Sequence, residues 1–163
     1  MTNITLDELI NNVTEWATIR DIYKESNEQK QVEKAASEVV EFVFAETEDE
    51  EKDAIGDITV CLINAAYFKG GLELFSFEFQ DPMLAQPNIR LVNNYILSRK
   101  YELAIALLNQ LAKLRSYNIE ECYGMAWDAI KNRLGMMIDG KYVKWEDLTP
   151  QQQIILKARL KVD

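Results

Sequence analysis

Histidine does not occur anywhere in this chain of 163 residues. Its absence removes Ser-His-Asp and Cys-His nucleophilic systems, imidazole general bases and every zinc site that includes a histidine. Cysteine is nearly as scarce. Cys61 and Cys122 form no CxxC pattern and read as buried core thiols, at home in a reducing cytosol. No apolar run approaches the roughly 20 residues that a membrane-spanning helix needs. The longest, Ile58 to Phe68, is interrupted by Thr59 and Asn64. Met1 to Thr5 carries neither the basic nor the apolar region of a secretion signal, so the expectation is a soluble, cytoplasmic protein with no membrane partner. Positive charge is also in short supply. Eighteen Lys and Arg face 27 Asp and Glu, a net charge of −9. That balance argues against contact along a nucleic-acid backbone, which needs clustered cations to displace counterions. A small anionic substrate stays open, because a bound divalent cation inverts the local sign. The glycine-rich phosphate loops and the EF-hand calcium loop are missing too. Any metal chemistry therefore falls to Asp and Glu oxygens.

What is present is helix. Apolar residues make up 48% of the chain, enough for a core, and no repeat, low-complexity stretch or Pro/Ser-rich linker divides it. One domain over 1–163 is expected. Thr5-Leu6-Asp7-Glu8 reads as a capping box opening a helix over 6–24. A second helix over 28–45 shows Val32, Ala36, Val39, Val40 and Val43 on one face. The acidic tract Glu46 to Glu51 supplies a turn and the first turn of a third helix over 50–68, apolar nearly all round from Ile58. Gly70-Gly71, Pro82 and Pro87 then bracket Phe75, Phe77 and Phe79 in alternation, a short strand or a packed loop. Helical spacing resumes over 88–98, 101–115, 119–133 and 151–161, with Asp139-Gly140 marking a β-hairpin between the last two. The class is all-α, a bundle of about six or seven helices with one small C-terminal hairpin.

Chemistry gathers on the second and third helices. Glu38 and Glu41 are three apart and share a face; Asp53 and Asp57 are four apart and do the same, with Asn64 seven beyond Asp57 on that line. Asp57 opens an apolar run, and a carboxylate at the edge of a core is costly unless paired or metal-bound. Two such pairs facing each other make a cradle suited to Mg²⁺, which takes hard oxygen ligands. Solvated glutamates and an Asp57 paired with Lys or Arg account for the same pattern. Trp16 reads as core or as a stacking surface.

Three segments carry a resemblance. Val32 to Glu41 and Lys52 to Ile63 resemble the core of the MazG-like nucleoside triphosphate pyrophosphohydrolases, whose signature is EExxE, a spacer, then ExxD. Cys122 to Lys144 is similar to the tail of short, often phage-encoded members. The stretch 69–117 reads as a helical insertion. Glu38 and Glu41 match the second and third Glu and Asp57 the final Asp. Ser37 and Ala54 stand where two carboxylates are expected, with Asp53 a substitute for the second. The resemblance implies an all-α bundle that cleaves a nucleoside triphosphate to monophosphate and pyrophosphate. It implies Mg²⁺, replaceable by Mn²⁺, on Glu38, Glu41, Asp53 and Asp57, with Glu38, Glu41 and Asp57 catalytic. Lys131 and Arg133, by charge and by position in the tail motif, and Asn64, by its line with Asp57, are candidates for substrate contact, with a favourable helix-dipole interaction and a structural polar role as their alternatives. The resemblance also implies a homodimer or homotetramer, and a host cytoplasm if phage-encoded. Preference for dGTP or GTP is one family possibility. Ser37 and Ala54 favour a rival reading, a catalytically silent helical interaction module; a plain acidic helical adaptor is a third.

Overall fold

Threonine and asparagine side chains decide where the helices of this chain begin. The computed structural model describes residues 2–73 and 87–161. Thr5, Asn27, Thr47, Asn88, Asn118 and Thr149 each accept from a backbone N–H of the first turn, satisfying a donor the helix cannot. They open α1 (Leu6–Ile19), α3 (Glu28–Phe44), α4 (Glu48–Tyr67), α5 (Ile89–Leu97), α7 (Ile119–Ile130) and α8 (Pro150–Leu160), with capping boxes at Thr5, Thr47 and Thr149. A short α2 (Ile22–Glu25) and α6 (Tyr101–Leu114) complete the α-helices among the described residues. Strands β1 (Gly135–Ile138) and β2 (Lys141–Lys144) pair antiparallel, Ile138 opposite Lys141. Asp139 and Gly140, at φ 48° and 76°, form the two-residue turn that Asp-Gly favours. The expected all-α class with one hairpin is the observed one.

Helix α4 is the axis of the bundle. From Ile58 to Ala66 every residue is buried. One side packs Ile55, Ile58 and Leu62 among Val32, Val39 and Phe42 of α3, Val92 and Ile96 of α5, and Leu108 of α6. The other packs Val60 and Ile63 against Leu9 and Val13 of α1 and Tyr123 and Ala126 of α7. Cys61 and Cys122 are both buried free thiols. Among the described residues no helix is long and apolar enough to cross a membrane.

Several sequence expectations need correction. The first helix does not run through to residue 24. It breaks where Asp21 takes a left-handed conformation and Arg20 turns inward, donating from Nε and Nη2 to the Arg133 carbonyl and from Nη1 to that of Trp16. The buried face of α3 is Val32, Ala35, Val39 and Phe42, whereas Val40 and Val43 are more than half exposed. Apolar spacing allowed either stripe, and packing on α4 selects the one carrying Phe42. Helix α7 ends at Ile130, so Arg133 lies on the link to β1. Helices α5 and α6, within the stretch read as a helical insertion, bury Val92, Ile96 and Leu108 in the main core. The apolar stretches 58–66 and 103–114 are largely buried within the chain, Leu114 excepted. Phe75, Phe77 and Phe79 lie outside the described residues.

One glycine brings α7 close. A Cβ on Gly56 would sit 2.3 Å from the Cys122 carbonyl oxygen and 2.7 Å from the Ala126 Cβ. Bare backbone at 56 lets α7 lie directly on α4, which carries the segment after α7 to the neighbourhood of Asp57. Gly56→Ala is expected to push the two helices apart and cost about 1–3 kcal/mol, read as a lower urea midpoint. An unchanged midpoint would show that the crossing has slack.

Candidate functional site

The link between α3 and α4 is three residues, Ala45 to Thr47, and so short a connection makes the helices antiparallel neighbours. Along this pair Glu41 lies close enough to act on Asp53, Glu38 on Asp57, and Lys34 on both Cys61 and Asp57. The four carboxylates singled out in the sequence thus come together, two from each helix. Apolar packing holds them there: Val39 and Phe42 on α3, Ala54, Ile55 and Ile58 on α4, all in one core cluster.

The cluster stands at one end of a cleft of about 700 Å³. Helices α3 and α4 form its floor, Glu38 and Asp57 among the lining residues. Trp16 of α1, Ile22 and Ser26 at the ends of α2, Ile130 of α7 and the hairpin residues Met137, Gly140 and Tyr142 form its walls. The hairpin is docked, not free: the Met137 N–H donates to the Arg20 carbonyl at 2.8 Å and the Gly140 N–H to the Glu25 carboxylate at 3.2 Å. Three cations reach the cleft, Lys30 and Lys34 from α3 and Arg133 from beyond α7.

Crowded, half-buried carboxylates hold their protons. Burial, then the Asp53 charge, pushes the Asp57 carboxyl up to about 7; Glu41 adds to the rise, and Arg133 and Lys34 oppose it. Burial, then the charges of Asp57 and Glu41, likewise raises Glu38 to about 7, against Lys34. Asp53 is raised by burial and Glu41, with Arg133 opposing. Among the described residues, Glu38 Oε2 is buried with no hydrogen-bond partner. This cost is compensated neither by an ion pair nor by a hydrogen bond to that oxygen, and it is relieved by anything positive that enters.

Hard carboxylate oxygens and an orphaned Glu38 Oε2 fit a magnesium-like cation. Among the described residues, no three His, Cys, Asp or Glu side chains are already gathered into a metal-ready group. A cation there would draw Glu38, Glu41, Asp53 and Asp57 together. Ser37 lines the cleft but carries no charge, and Ala54, at 3% exposure, faces the core. A carboxylate at 54 would be buried in this packing; Asp53, one residue earlier, is the side chain in electrostatic contact with Glu41 and Asp57.

Of the substrate contacts expected, Asn64 and Arg133 line the cleft and Lys131 does not. Lys131 pairs with Asp128 three residues back, a carboxylate that also accepts from the Thr2 hydroxyl. Sequence reasoning passed over Lys30, Lys34, Gln31 and Tyr142. The lysines had a signal: Lys30 and Lys34 precede Glu38 at four-residue steps, one helix stripe. Trp16 stands at the cleft wall, its ring 6.5 Å from that of Tyr142 and stacked on the buried Arg20 guanidinium.

The chain matches no protein-family model, no curated protein and no solved structure.

Raised carboxylates make stability depend on pH in a known direction. A proton held in the folded state above the ordinary carboxylate range stabilises fully below that range, and the contribution is lost as pH rises through about 7. The metal-free melting midpoint should therefore gain on Glu38→Gln and Asp57→Asn more at pH 8 than at pH 5, by about 2–4 °C per kcal/mol recovered. Added Mg²⁺ at pH 8 should raise the midpoint of the parent protein but not of those variants. Parallel pH curves for parent and variants would refute the assignment.

Proposed function

We propose that this chain is a Mg²⁺-dependent nucleoside triphosphate pyrophosphohydrolase, cleaving between the α and β phosphates. The observation that carries the reading is the convergence of two helix-borne carboxylate pairs at the head of a cleft lined by three cations. Glu38, Glu41, Asp53 and Asp57 would hold the metal. When bound, Mg²⁺ neutralises triphosphate charge and makes an attacking water more acidic.

The chain's own residues supply the rest. Lys30, Lys34 and Arg133 attract the polyphosphate into a cleft that would otherwise repel it, given a net charge of −9. Their exposed, flexible side chains suit a charged tail rather than a fixed ring. The Glu38 carboxylate has two oxygens, so one can hold the metal while the other takes the proton that the attacking water loses. Arg20 ties the backbone at Arg133 to α1, so the Arg133 side chain starts from a fixed point beside Asp57. The apolar walls at Trp16, Ile130 and Tyr142 leave the inner cleft shaped for a ring rather than for phosphates.

A second reading, a binding module that keeps the fold without turnover, is favoured by Ser37, an uncharged residue at the cleft where the resemblance calls for a carboxylate.

Incubation with Mg²⁺ and each common NTP and dNTP, with products separated by ion exchange, decides between them. Monophosphate plus pyrophosphate, abolished by EDTA, is expected. Glu38→Gln and Asp57→Asn should each lower kcat by roughly 10²-fold or more, the scale of lost acid–base catalysis. Lys34→Met should act mainly on KM. Unchanged turnover in the two carboxylate variants would refute the site. No turnover from a folded parent protein that still binds Mn²⁺ would favour the binding module.

A further inference from the structure

We propose that the end of the cleft away from the carboxylates reads the edge of a nucleobase, through the side-chain amides of Gln31 and Asn64, and that these two residues set base preference. The inference rests on the nucleotide reading above.

Both side chains line the cleft and both residues are only 5% exposed. They line the same cleft, Gln31 from α3 and Asn64 from α4, each seven residues from its carboxylate, Gln31 from Glu38 and Asn64 from Asp57. Seven residues are two helical turns, about 10 Å along the axis. That is the reach of a sugar and a ring beyond a phosphate held at the carboxylates.

Each amide is half used. Asn64 Oδ1 accepts from the Tyr23 hydroxyl at 2.7 Å, and Gln31 Nε2 donates to Ser26 Oγ at 3.1 Å. Tyr23 lies in α2 and Ser26 caps its end, so one short helix orients both amides. The other end of each amide, Asn64 Nδ2 as donor and Gln31 Oε1 as acceptor, takes no part in these two bonds and is not among the buried unpartnered atoms.

A cleft-lining amide fixed at one end can offer its other end to a ligand. The ligand must offer an acceptor to Asn64 and a donor to Gln31. Ionised phosphate offers acceptors only, so Gln31 Oε1 disfavours it. The pairing edge of a nucleobase offers both, side by side. Polarity therefore orients the ligand, its phosphates toward Lys34 and Arg133 and its ring toward the amides. Sugar hydroxyls also donate and accept, and the test below separates them from the base.

Deoxynucleoside monophosphates are the probes, because they have no phosphoanhydride to hydrolyse. Titration of dAMP, dGMP, dCMP and dTMP with Mg²⁺ present, by calorimetry, should give dissociation constants spread over at least ~10-fold, the scale on which polar groups discriminate. Gln31→Met and Asn64→Leu should compress that spread to within about 3-fold. Tyr23→Phe, which removes one hydroxyl and frees Asn64 Oδ1, should reorder the four with little change in melting midpoint. It serves where a buried variant fails to fold. Equal affinities in the parent protein, no binding of any of the four, or an unchanged order in every folded variant would overturn the proposal. So would variants that alter only the ratio of ribo to deoxy forms of one base. Turnover of all four triphosphates at equal rates, with no spread in binding, would sink the base reader and leave the hydrolase standing. A clear spread without turnover would do the reverse.

Discussion

Everything at the site follows from apolar packing strong enough to hold like charges together. Val39 and Phe42 of α3 and Ala54, Ile55 and Ile58 of α4 interlock a few ångströms from Glu38, Glu41, Asp53 and Asp57. Left to their own charges, the two helix ends would separate. The buried contacts prevent it, and the repulsion appears instead as protons retained to about pH 7 on Glu38 and Asp57. Part of the cost of bringing the carboxylates near one another is borne by the fold, through that packing.

Much of the architecture was legible because it is local. Capping residues are read directly from sequence, and six of them begin helices at or within two residues of the expected starts. Asp139-Gly140 gave the hairpin for the same reason, since two positive φ angles in succession suit few residue pairs. The failures were tertiary. Nothing within 6–24 announces that Arg20 will abandon the helix to serve carbonyls at 133 and 16. Val40 and Val43 fit an apolar stripe as well as Ala35 and Phe42 do, and the choice belongs to α4.

The site was half legible. Carboxylates at spacings of three and four announce a shared face, and the short turn between their helices makes them meet. Asn64 was found by extending the same line. Lys131 and Arg133 were equivalent by sequence; geometry separates them, because α7 stops at Ile130 and Asp128 captures the lysine. Gln31 was invisible for a different reason. A glutamine on an amphipathic helix is ordinarily solvated, and its burial depends on Ser26, which lies in another element. Residues that act through a partner elsewhere in the fold leave no periodic trace.

The two sides of α4 differ in how far apart in sequence their contacts are. Helix α3 reaches α4 across three residues, whereas α7 and the segment holding Arg133 return from more than fifty residues downstream. Loop closure makes the first contact early and the second late. During folding the chain therefore gathers its four carboxylates before it can bring Arg133 beside them. Its first helical pair forms against the full repulsion, moderated by Lys34 alone among the cations on those two helices that face the cluster. Acidity of the medium, by keeping those carboxyls neutral, thus acts on the speed of the nucleating step as well as on the finished site.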